Sequence, residues 1–263
     1  MRPGSSLLAD FYLCLGFFTR LPVPSALSTS EPPSLANLSR AVRMLPVAGG
    51  LVGALAAIAL AAASRFGFPP PLAAPLAICS LVLLGGAMHE DGLADCADGF
   101  SGGATRERKL EIMADSRIGT FGAVALVVSL YLRAASLALI ADQSLGLAAA
   151  VLIGAAALSR TAALMPLALL PPARENGAGF AAGKPERAAL AIAACLAVVF
   201  ALAPVVAGAH LARSLAGIAA ATGAAYAIVL LARKHIGGQT GDVAGAAQQL
   251  SEIAYYLAFA AAV

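Results

Sequence analysis

Residues 119–141 read GTFGAVALVVSLYLRAASLALIA, and residues 145–171 read LGLAAAVLIGAAALSRTAALMPLALLP. Each run exceeds the ~20 residues that a helix needs to cross the hydrocarbon core of a bilayer. Hydrophobic residues make up 60% of the 263-residue chain and charged residues 12%, and the mean hydropathy is +0.86. This composition excludes an ordinary soluble domain and predicts a polytopic membrane protein.

Further apolar runs lie on both sides of this pair, at residues 45–64, 72–88, 188–208, 211–232 and 243–262. Because backbone polar groups must find partners inside lipid, we expect helices and an all-α membrane bundle. These runs predict about seven transmembrane helices. Because the ends of each run are uncertain by several residues, six to eight are possible. No long soluble segment interrupts the runs, so residues 1–263 are predicted to form one domain.

Residues 1–44 are predicted to form a cytoplasmic or interfacial N-terminal segment. They contain one short apolar stretch, from about Leu7 to Phe18. A stretch of this length is too short to span a membrane, so we expect an interfacial or re-entrant helix.

The distribution of basic residues predicts the orientation of the bundle. With a cytoplasmic N-terminus, the opposite side receives two basic residues, Arg65 and Arg213. The cytoplasmic side then carries thirteen: Arg2, Arg20, Arg40, Arg43, Arg106, Arg108, Lys109, Arg117, Arg174, Lys184, Arg187, Arg233 and Lys234. The N-terminus and the loops near 89–118, 172–187 and 233–242 are therefore predicted to face the cytoplasm.

An acidic segment separates two of the apolar runs: residues 89–122 read HEDGLADCADGFSGGATRERKLEIMADSRIGTFG. Four of the chain's 14 acidic residues lie here within nine positions. On a helix, Asp91, Asp95 and Asp98 stack on one face, with Glu90 about 100° away. Carboxylates this close raise one another's pKa, and a hard divalent cation such as Mg²⁺ or Mn²⁺ removes the repulsion. The alternative is a solvated acidic surface or the preference for acids at a helix start.

Other polar residues in this segment are candidates for substrate binding. Gly102 and Gly103 follow the acids, and their exposed amides could cradle a phosphate, although an ordinary tight turn explains them equally well. Asp115 and Arg117 place a carboxylate and a guanidinium at the entrance to the next span. His89 could serve as a base or as a hydrogen-bond donor behind the metal, or it could be structural.

Two arginines fall within apolar runs, where a mid-membrane Arg costs about 2.5–3.5 kcal/mol on insertion scales. Arg160 lies near the middle of its run and is predicted to bind an anion. Arg133 lies nearer the end of its run, so it could either snorkel to the surface or face a polar partner.

A third cluster lies near the C-terminus, in GGQTGDVAGAAQQLSE at residues 237–252. Asp242, Gly245, Gln248/Gln249 and Glu252 recur every three to four residues and form a polar stripe along an otherwise apolar helix. Such stripes often line a site within the membrane. The alternative is hydrogen bonding between helices together with small-residue packing through Gly245.

Taken together, these motifs resemble the cobalamin synthase family, adenosylcobinamide-GDP ribazoletransferase, over essentially the full chain. The resemblance is carried by FFTRLPVP at 17–24, RMLPVAGGLVG at 43–53, HEDGLADCADGFSGG at 89–103, LEIMADSRIGTFG at 110–122, Ser159-Arg160, and GGQTGDVAGAAQQLSE at 237–252.

The resemblance implies an enzyme of a bacterial inner membrane that depends on Mg²⁺ and uses adenosylcobinamide-GDP and α-ribazole or its 5′-phosphate. A ribose hydroxyl attacks the phosphate attached to cobinamide, and GMP leaves. A homo-oligomer or a complex with other cobalamin-assembly enzymes is possible; nucleic acid is not an expected partner.

We assign roles to these residues as hypotheses. Asp91, Asp95, Asp98 and Glu90 hold the metal. Asp115 and Asp242 complete the metal shell or accept the proton of the nucleophile, and His89 is a further catalytic candidate. Substrate is expected to contact Arg117, Arg160, Gly102, Gly103, Gln248 and Glu252.

Two other classes of protein compete with the transferase. An ion-coupled transporter would use the acids as an ion relay near the membrane midplane. The acids instead cluster at the predicted cytoplasmic rim, and no pair of interrupted spans repeats across two halves. A non-catalytic assembly factor would not need so many ionisable groups on one face.

Overall fold

The computed structural model describes residues 6–23, 37–175, 177, 179 and 183–261. Within those residues the secondary structure is helical, apart from a single bridge between Pro172 and Gln239. The all-α prediction is confirmed. Parts of the predicted N-terminal segment, residues 1–5 and 24–36, lie outside the described residues.

The described helices follow the predicted apolar runs closely. The N-terminal part holds α1 (Leu7–Phe18), α2 (Leu38–Ala41), a 3₁₀ turn (Val42–Met44), α3 (Leu45–Arg65) and α4 (Pro70–Gly85). The acidic segment forms α5 (Met88–Gly102) and α6 (Arg106–Met113). The remainder forms α7 (Thr120–Gln143), α8 (Leu145–Ala162), α9 (Leu164–Leu169), α10 (Arg187–Ala201), α11 (Ala203–Val206), α12 (Leu211–Ile236) and α13 (Gly241–Ala260).

Five helical segments in the described part of the chain are long and apolar enough to cross a membrane. A sixth results if the bent pair α4 and α5 counts as one span, and six is the lower end of the predicted range. The helix α13 forms where a span was predicted, but it is not among these segments. Its polar side chains Gln248, Gln249, Ser251 and Glu252 are buried inside the bundle instead. The protein is therefore a multi-pass, all-α membrane protein with a largely enclosed C-terminal helix.

Small residues bring α3 and α8 into backbone contact. A Cβ atom added at Gly49 would lie 2.5 Å from the carbonyl oxygen of Ala156, and one added at Gly53 would lie 2.6 Å from that of Leu152. Side chains at these two glycines would therefore push the helices apart. Gly49 and Gly53 therefore permit the close packing of these two helices.

A sharp break separates α4 from α5. Gly86 has φ +64° and Ala87 has φ +57°, and the two helices meet at 90°. Arg20 covers the break: its backbone N–H donates to Leu84 O at 2.8 Å, and its side chain packs against Gly86. This bend turns the acidic helix α5 away from the direction of α4.

Three loops that were predicted to share one membrane side meet at one end of the bundle. The Ala173 N–H donates to Gln239 O, and the Gln239 N–H donates to Pro171 O, both at 2.8 Å. Arg106 joins them from the third loop by donating to Ile236 O at 2.8 Å and to Ala173 O at 2.6 Å. The start of α6, the loop after α9 and the loop before α13 are thus joined in a single surface.

Candidate active site

The close approach of α5 to α13 assembles the acidic site. A Cβ atom added at Gly92 would lie 2.7 Å from the carbonyl oxygen of Asp242, and one added at Gly245 would lie 3.3 Å from the Cα of Gly92. The two backbones can therefore touch where each helix carries a glycine. This crossing places Asp91 and Asp95, one turn apart on α5, beside Asp242 in the first turn of α13.

Asp95 lies among charges of its own sign. Asp91, Asp242 and Asp98 all act on its carboxylate, and the cation that opposes them is Arg174. The predicted helix containing all three aspartates of α5 is confirmed. Their exposure falls along it: Asp91 is exposed, Asp95 is half-buried and Asp98 is buried.

Asp242 is held by two neighbours. Arg174 forms a salt bridge with its Oδ2 at 3.4 Å, and the Thr240 hydroxyl donates to the same oxygen at 3.1 Å. Burial nevertheless raises the pKa of the Asp242 carboxyl, and the Asp91 charge adds to this effect. A carboxylate in this setting is a better proton acceptor than an exposed one.

Arg174 was not singled out from the sequence as a site residue. It lies in a loop after α9, and its guanidinium reaches Asp242 across 68 positions of sequence. The signal available in the sequence was its place in a basic loop predicted to share a membrane side with the acids. That signal did not distinguish Arg174 from its neighbours Lys184 and Arg187.

Asp98 was predicted to hold a metal ion, but in the structure its carboxylate accepts hydrogen bonds from the backbone. Its two carboxylate oxygens accept the backbone N–H groups of Gly119 at 2.7 Å and Gly122 at 2.9 Å. Side chains at these glycines would collide with the carboxyl group, since an added Cβ would lie 2.5 Å from Oδ1 and 2.3 Å from Oδ2 respectively. Asp98 therefore binds the free amides at the N-terminus of α7.

Glu90 also makes contacts away from the other acids of α5. Its carboxylate binds Arg133 of α7 at 3.1 Å and accepts a hydrogen bond from Gln249 of α13 at 3.0 Å. The second carboxylate on Arg133 is Glu252, at 3.3 Å. Arg133 is only 1% exposed, so the structure decides between the two alternatives for this residue: Arg133 forms a buried ion pair and does not snorkel.

The polar stripe of α13 continues this buried network. Gln248 donates to Glu252 at 2.7 Å and to the Ser159 hydroxyl of α8 at 2.9 Å, and the Ser129 hydroxyl of α7 donates to Gln249 at 2.9 Å. In this structure the stripe joins helices by hydrogen bonds. Substrate contacts by Gln248 and Glu252 stay a prediction.

Arg160 lies beside the same network and is 3% exposed. Its guanidinium donates to Ala156 O of its own helix at 3.2 Å, and Glu252 and Glu90 are the nearby anionic charges that act on it. Its Nε atom is buried without a hydrogen-bond partner among the described residues. The predicted role in binding substrate phosphate stays a prediction.

Asp115 and Arg117 bind each other at the surface. Arg117 Nη2 lies 2.6 Å from Asp115 Oδ2, and the Arg117 side chain is 87% exposed. Hydrogen bonds from Arg117 lower the pKa of Asp115 to about 2. The guanidinium and the carboxylate thus neutralise each other locally, outside the cluster formed by Asp91, Asp95 and Asp242.

Gly102 and Gly103 end α5 against α6. A Cβ atom at Gly103 would lie 2.8 Å from the backbone nitrogen of Lys109. The Lys109 ammonium donates to Phe100 O and Gly103 O, two carbonyls at the end of α5. Close packing of helices accounts for this turn, and phosphate binding by these glycines stays a prediction.

A cavity of about 250 Å³ opens beside the acids. His89, Asp91 and Asp242 line its polar end. His89 is 5% exposed and lies close enough to Arg160 and Arg133 for both charges to act on it. Apolar side chains form the other wall: Phe17, Phe18, Leu38, Val42, Leu164 and Leu167.

The donors of the acidic cluster fit a hard cation by their chemistry, since all of them are carboxylate oxygens that repel one another. Among the described residues, no group of three or more His, Cys, Asp or Glu side chains is close enough together to hold a metal ion. Mg²⁺ needs no such group, because it is commonly bound by one or two carboxylates, waters and substrate phosphates.

Comparisons with known proteins cover nearly the whole chain. The model of the family described as cobalamin-5-phosphate synthase matches residues 10–260. An adenosylcobinamide-GDP ribazoletransferase of Azorhizobium caulinodans is 46% identical, with 96% of each chain covered. A protein of the same name from Bradyrhizobium diazoefficiens is 43% identical over 99% of this chain and 98% of its own. No solved structure matches.

Proposed function

The chain belongs to the cobalamin-5-phosphate synthase family, and from that premise we propose that it is an adenosylcobinamide-GDP ribazoletransferase. It transfers the adenosylcobinamide-phosphate part of adenosylcobinamide-GDP to α-ribazole or α-ribazole 5′-phosphate. The products are GMP and adenosylcobalamin or its 5′-phosphate. Family membership favours this enzyme over the ion-coupled transporter.

The observation that carries the proposal is the convergence of Asp91, Asp95 and Asp242, two of which line a cavity, next to the loop cation Arg174 that pairs with Asp242. A diphosphate substrate brings negative charge, so a site built from carboxylates needs cations to accept it. Arg174, 26% exposed and already on Asp242, can donate to a non-bridging phosphate oxygen in the fork geometry of a guanidinium.

In the reaction, a ribose hydroxyl oxygen forms a bond to the phosphorus attached to cobinamide. The bond from that phosphorus to the bridging oxygen breaks, and GMP leaves with the electron pair. We assign the hydroxyl proton to Asp242, because its carboxyl lines the cavity and its pKa is raised. Asp115, the other candidate acceptor, is paired with Arg117 at the surface.

Mg²⁺ is the proposed cofactor, and it would neutralise charge on the diphosphate. Asp91 and Asp95 would hold it, with Asp242 nearby. We assign Asp98 and Glu90 to joining helices, because backbone amides and Arg133 already bind their carboxylates.

We also propose that the protein lies in the bacterial inner membrane with this site facing the cytoplasm, where a nucleotide substrate is available. The lipid bilayer is then its permanent partner, and its substrates are the GDP derivative and α-ribazole. A homo-oligomer or a complex with other cobalamin-assembly enzymes remains part of the proposal.

The direct test is GMP release by the purified protein in detergent or vesicles, given adenosylcobinamide-GDP and α-ribazole. We expect GMP and adenosylcobalamin in equal amounts, and loss of both when EDTA replaces Mg²⁺. GMP release without α-ribazole would indicate a hydrolase, and no release under any condition would overturn the proposal.

The acidic site is tested by Asp95→Asn. We expect transfer to be abolished while the protein level in membranes is kept, since the amide keeps the shape but lacks the charge that binds a cation. Asp115→Asn is the matched control, an Asp in the same segment but outside the cluster, and should retain transfer. Retained turnover in Asp95→Asn would refute the metal assignment.

A further inference from the structure

The cavity beside Asp91 and Asp242 has one wall that the phosphoryl transfer does not use. The aromatic rings of Phe17 and Phe18 meet edge to face, with centroids 4.7 Å apart, and α1 carries them to the cavity. Val42, Leu164 and Leu167 complete the wall. A phosphate, a ribose or a metal ion gains nothing from such a surface, whereas an apolar group would gain from being buried against it.

The volume restricts which part of the substrates can enter. A cavity of about 150 Å³ is enough to hold benzene, and this one is about 250 Å³. Sites for whole drug-sized ligands span roughly 300–1,000 Å³. The space therefore suits a flat group of two fused rings and is far too small for a corrin ring.

Chemistry separates the three flat groups that the substrates contain: adenine, guanine and the benzimidazole of α-ribazole. Guanine and adenine carry several hydrogen-bond donors and acceptors on their ring edges, and burying these groups against an apolar wall without partners is unfavourable. The methylated benzimidazole of α-ribazole is apolar along most of its edge. It can bury its methyl groups against the leucines and stack beside the phenylalanines.

We propose that this cavity binds the aromatic base of α-ribazole, with its ribose at the acidic end. The inference rests on the proposed function, because that function supplies the ribazole. The arrangement puts the nucleophilic hydroxyl near Asp242 and leaves the cobinamide and guanosine parts of the other substrate outside the cavity. Phe17, Val42 and Leu167 then determine which base is accepted.

Filling the cavity tests this placement. Ala244 lines it from α13, so Ala244→Leu narrows the space. We expect the KM for α-ribazole to rise by about tenfold, with the KM for adenosylcobinamide-GDP unchanged. The α-riboside of imidazole, with one ring, should be affected less than threefold, by the same reasoning on pocket size.

The control for this variant is Ala254→Leu, a half-buried alanine on the same helix and away from the cavity. It should change neither KM. An equal loss for both ribosides, or a raised KM for adenosylcobinamide-GDP in Ala244→Leu, would overturn the placement.

Enlarging the cavity gives a second test, which does not require the fold to accommodate a larger side chain. Leu167 and Leu190 both pack, partly buried, against the same apolar cluster, and of these two Leu167 lines the cavity. Leu167→Ala should weaken α-ribazole binding by about tenfold, as expected for lost apolar contact. Leu190→Ala should not, and equal effects of the two would contradict the inference.

Equilibrium dialysis of α-ribazole against the full-length protein, without the GDP substrate, separates this inference from the proposed function. Binding that Ala244→Leu weakens supports the base site even if no GMP is released. Unchanged binding in both Ala244→Leu and Leu167→Ala overturns the base site even if transfer proceeds.

Discussion

Three aspartates on one helix face illustrate what can be predicted residue by residue. The stacking of Asp91, Asp95 and Asp98 depends on local helical periodicity, so the sequence was sufficient to predict it. Their different tasks depend on which element lies opposite each carboxylate. Asp98 accepts hydrogen bonds from backbone amides of α7, whereas the negative charge of Asp242 acts on Asp95. Neither interaction can be predicted from the sequence of residues 91–98 alone.

The two arginines within the apolar runs show the same limit. Their cost in lipid predicted polar surroundings, and both are buried against other polar groups. For Arg133 the partners are Glu90 and Glu252, which lie 43 and 119 positions away in the sequence. The position of Arg133 within its own apolar run predicts only its depth in the membrane and could not show this pairing.

The buried ion pair gives a stability prediction. Arg133→Met should destabilise the protein by about 3–5 kcal/mol, because Glu90 and Glu252 remain buried without their cation. A thermal unfolding series in detergent measures it. Arg108→Met is the control, since the Arg108 side chain is 64% exposed and pairs with an equally exposed Glu111. Combining Arg133→Met with Glu90→Gln and Glu252→Gln should recover much of the loss, and equal Tm values for the two single variants would contradict this account.

Arg160 gives a prediction for kinetics. With its Nε unpartnered beside Glu252, its guanidinium is the candidate to meet a substrate anion. We expect Arg160→Ala to reduce turnover or weaken binding of adenosylcobinamide-GDP, with Arg160→Lys recovering part of the effect through its charge. Steady-state kinetics of both variants measure this, and unchanged kinetics in Arg160→Ala would leave the residue a structural role alone.

At the scale of elements, the helices were predictable because their apolar runs are long, but the side chain that caps the start of α7 was not. Nothing local to Gly119 shows which side chain binds its amide, since the acceptor, Asp98, lies 21 positions earlier. The 90° break after α4 could not be predicted from the local sequence either. It places Ala87, a non-glycine residue, at positive φ, and the Arg20 side chain packs against the neighbouring Gly86. Tertiary contacts decide both features.

The contact between Asp98 and α7 predicts a difference between two carboxylates of α5. Asp98→Ala should destabilise the protein by about 0.5–2 kcal/mol, the usual loss for a helix N-terminal acceptor. Asp98→Asn keeps one acceptor oxygen and should retain Mg²⁺-dependent transfer, unlike Asp95→Asn. Thermal unfolding and Mg²⁺ titration of GMP release measure the two effects. Loss of Mg²⁺-dependent transfer in a stable Asp98→Asn protein would indicate that Asp98 is a metal ligand after all.

At the scale of the whole molecule, charge and packing agree on which surfaces belong together. The rule for basic residues grouped the segments before α7, after α9 and before α13 on one side, and Arg106 joins all three by hydrogen bonds. The number of spans was harder to predict, because hydropathy does not distinguish a helix enclosed by other helices from one facing lipid. The enclosed α13, with Glu252 1% exposed, is the case in point.

The orientation of this joined surface can be tested by thiol labelling. Cys79 and Cys195 are exposed and are first replaced by serine, whereas Cys14 and Cys96 are buried and can stay. Arg117→Cys and Arg65→Cys then place one exposed thiol at each predicted side. Because thirteen basic residues fall on the side of Arg117 and two on that of Arg65, an impermeant maleimide should label Arg65→Cys in intact spheroplasts and Arg117→Cys only after permeabilisation. The reverse pattern would put the acidic site on the outer face, where a GDP-linked substrate would have to be exported to reach it, and would refute the cytoplasmic assignment while leaving the transfer chemistry open to its own test.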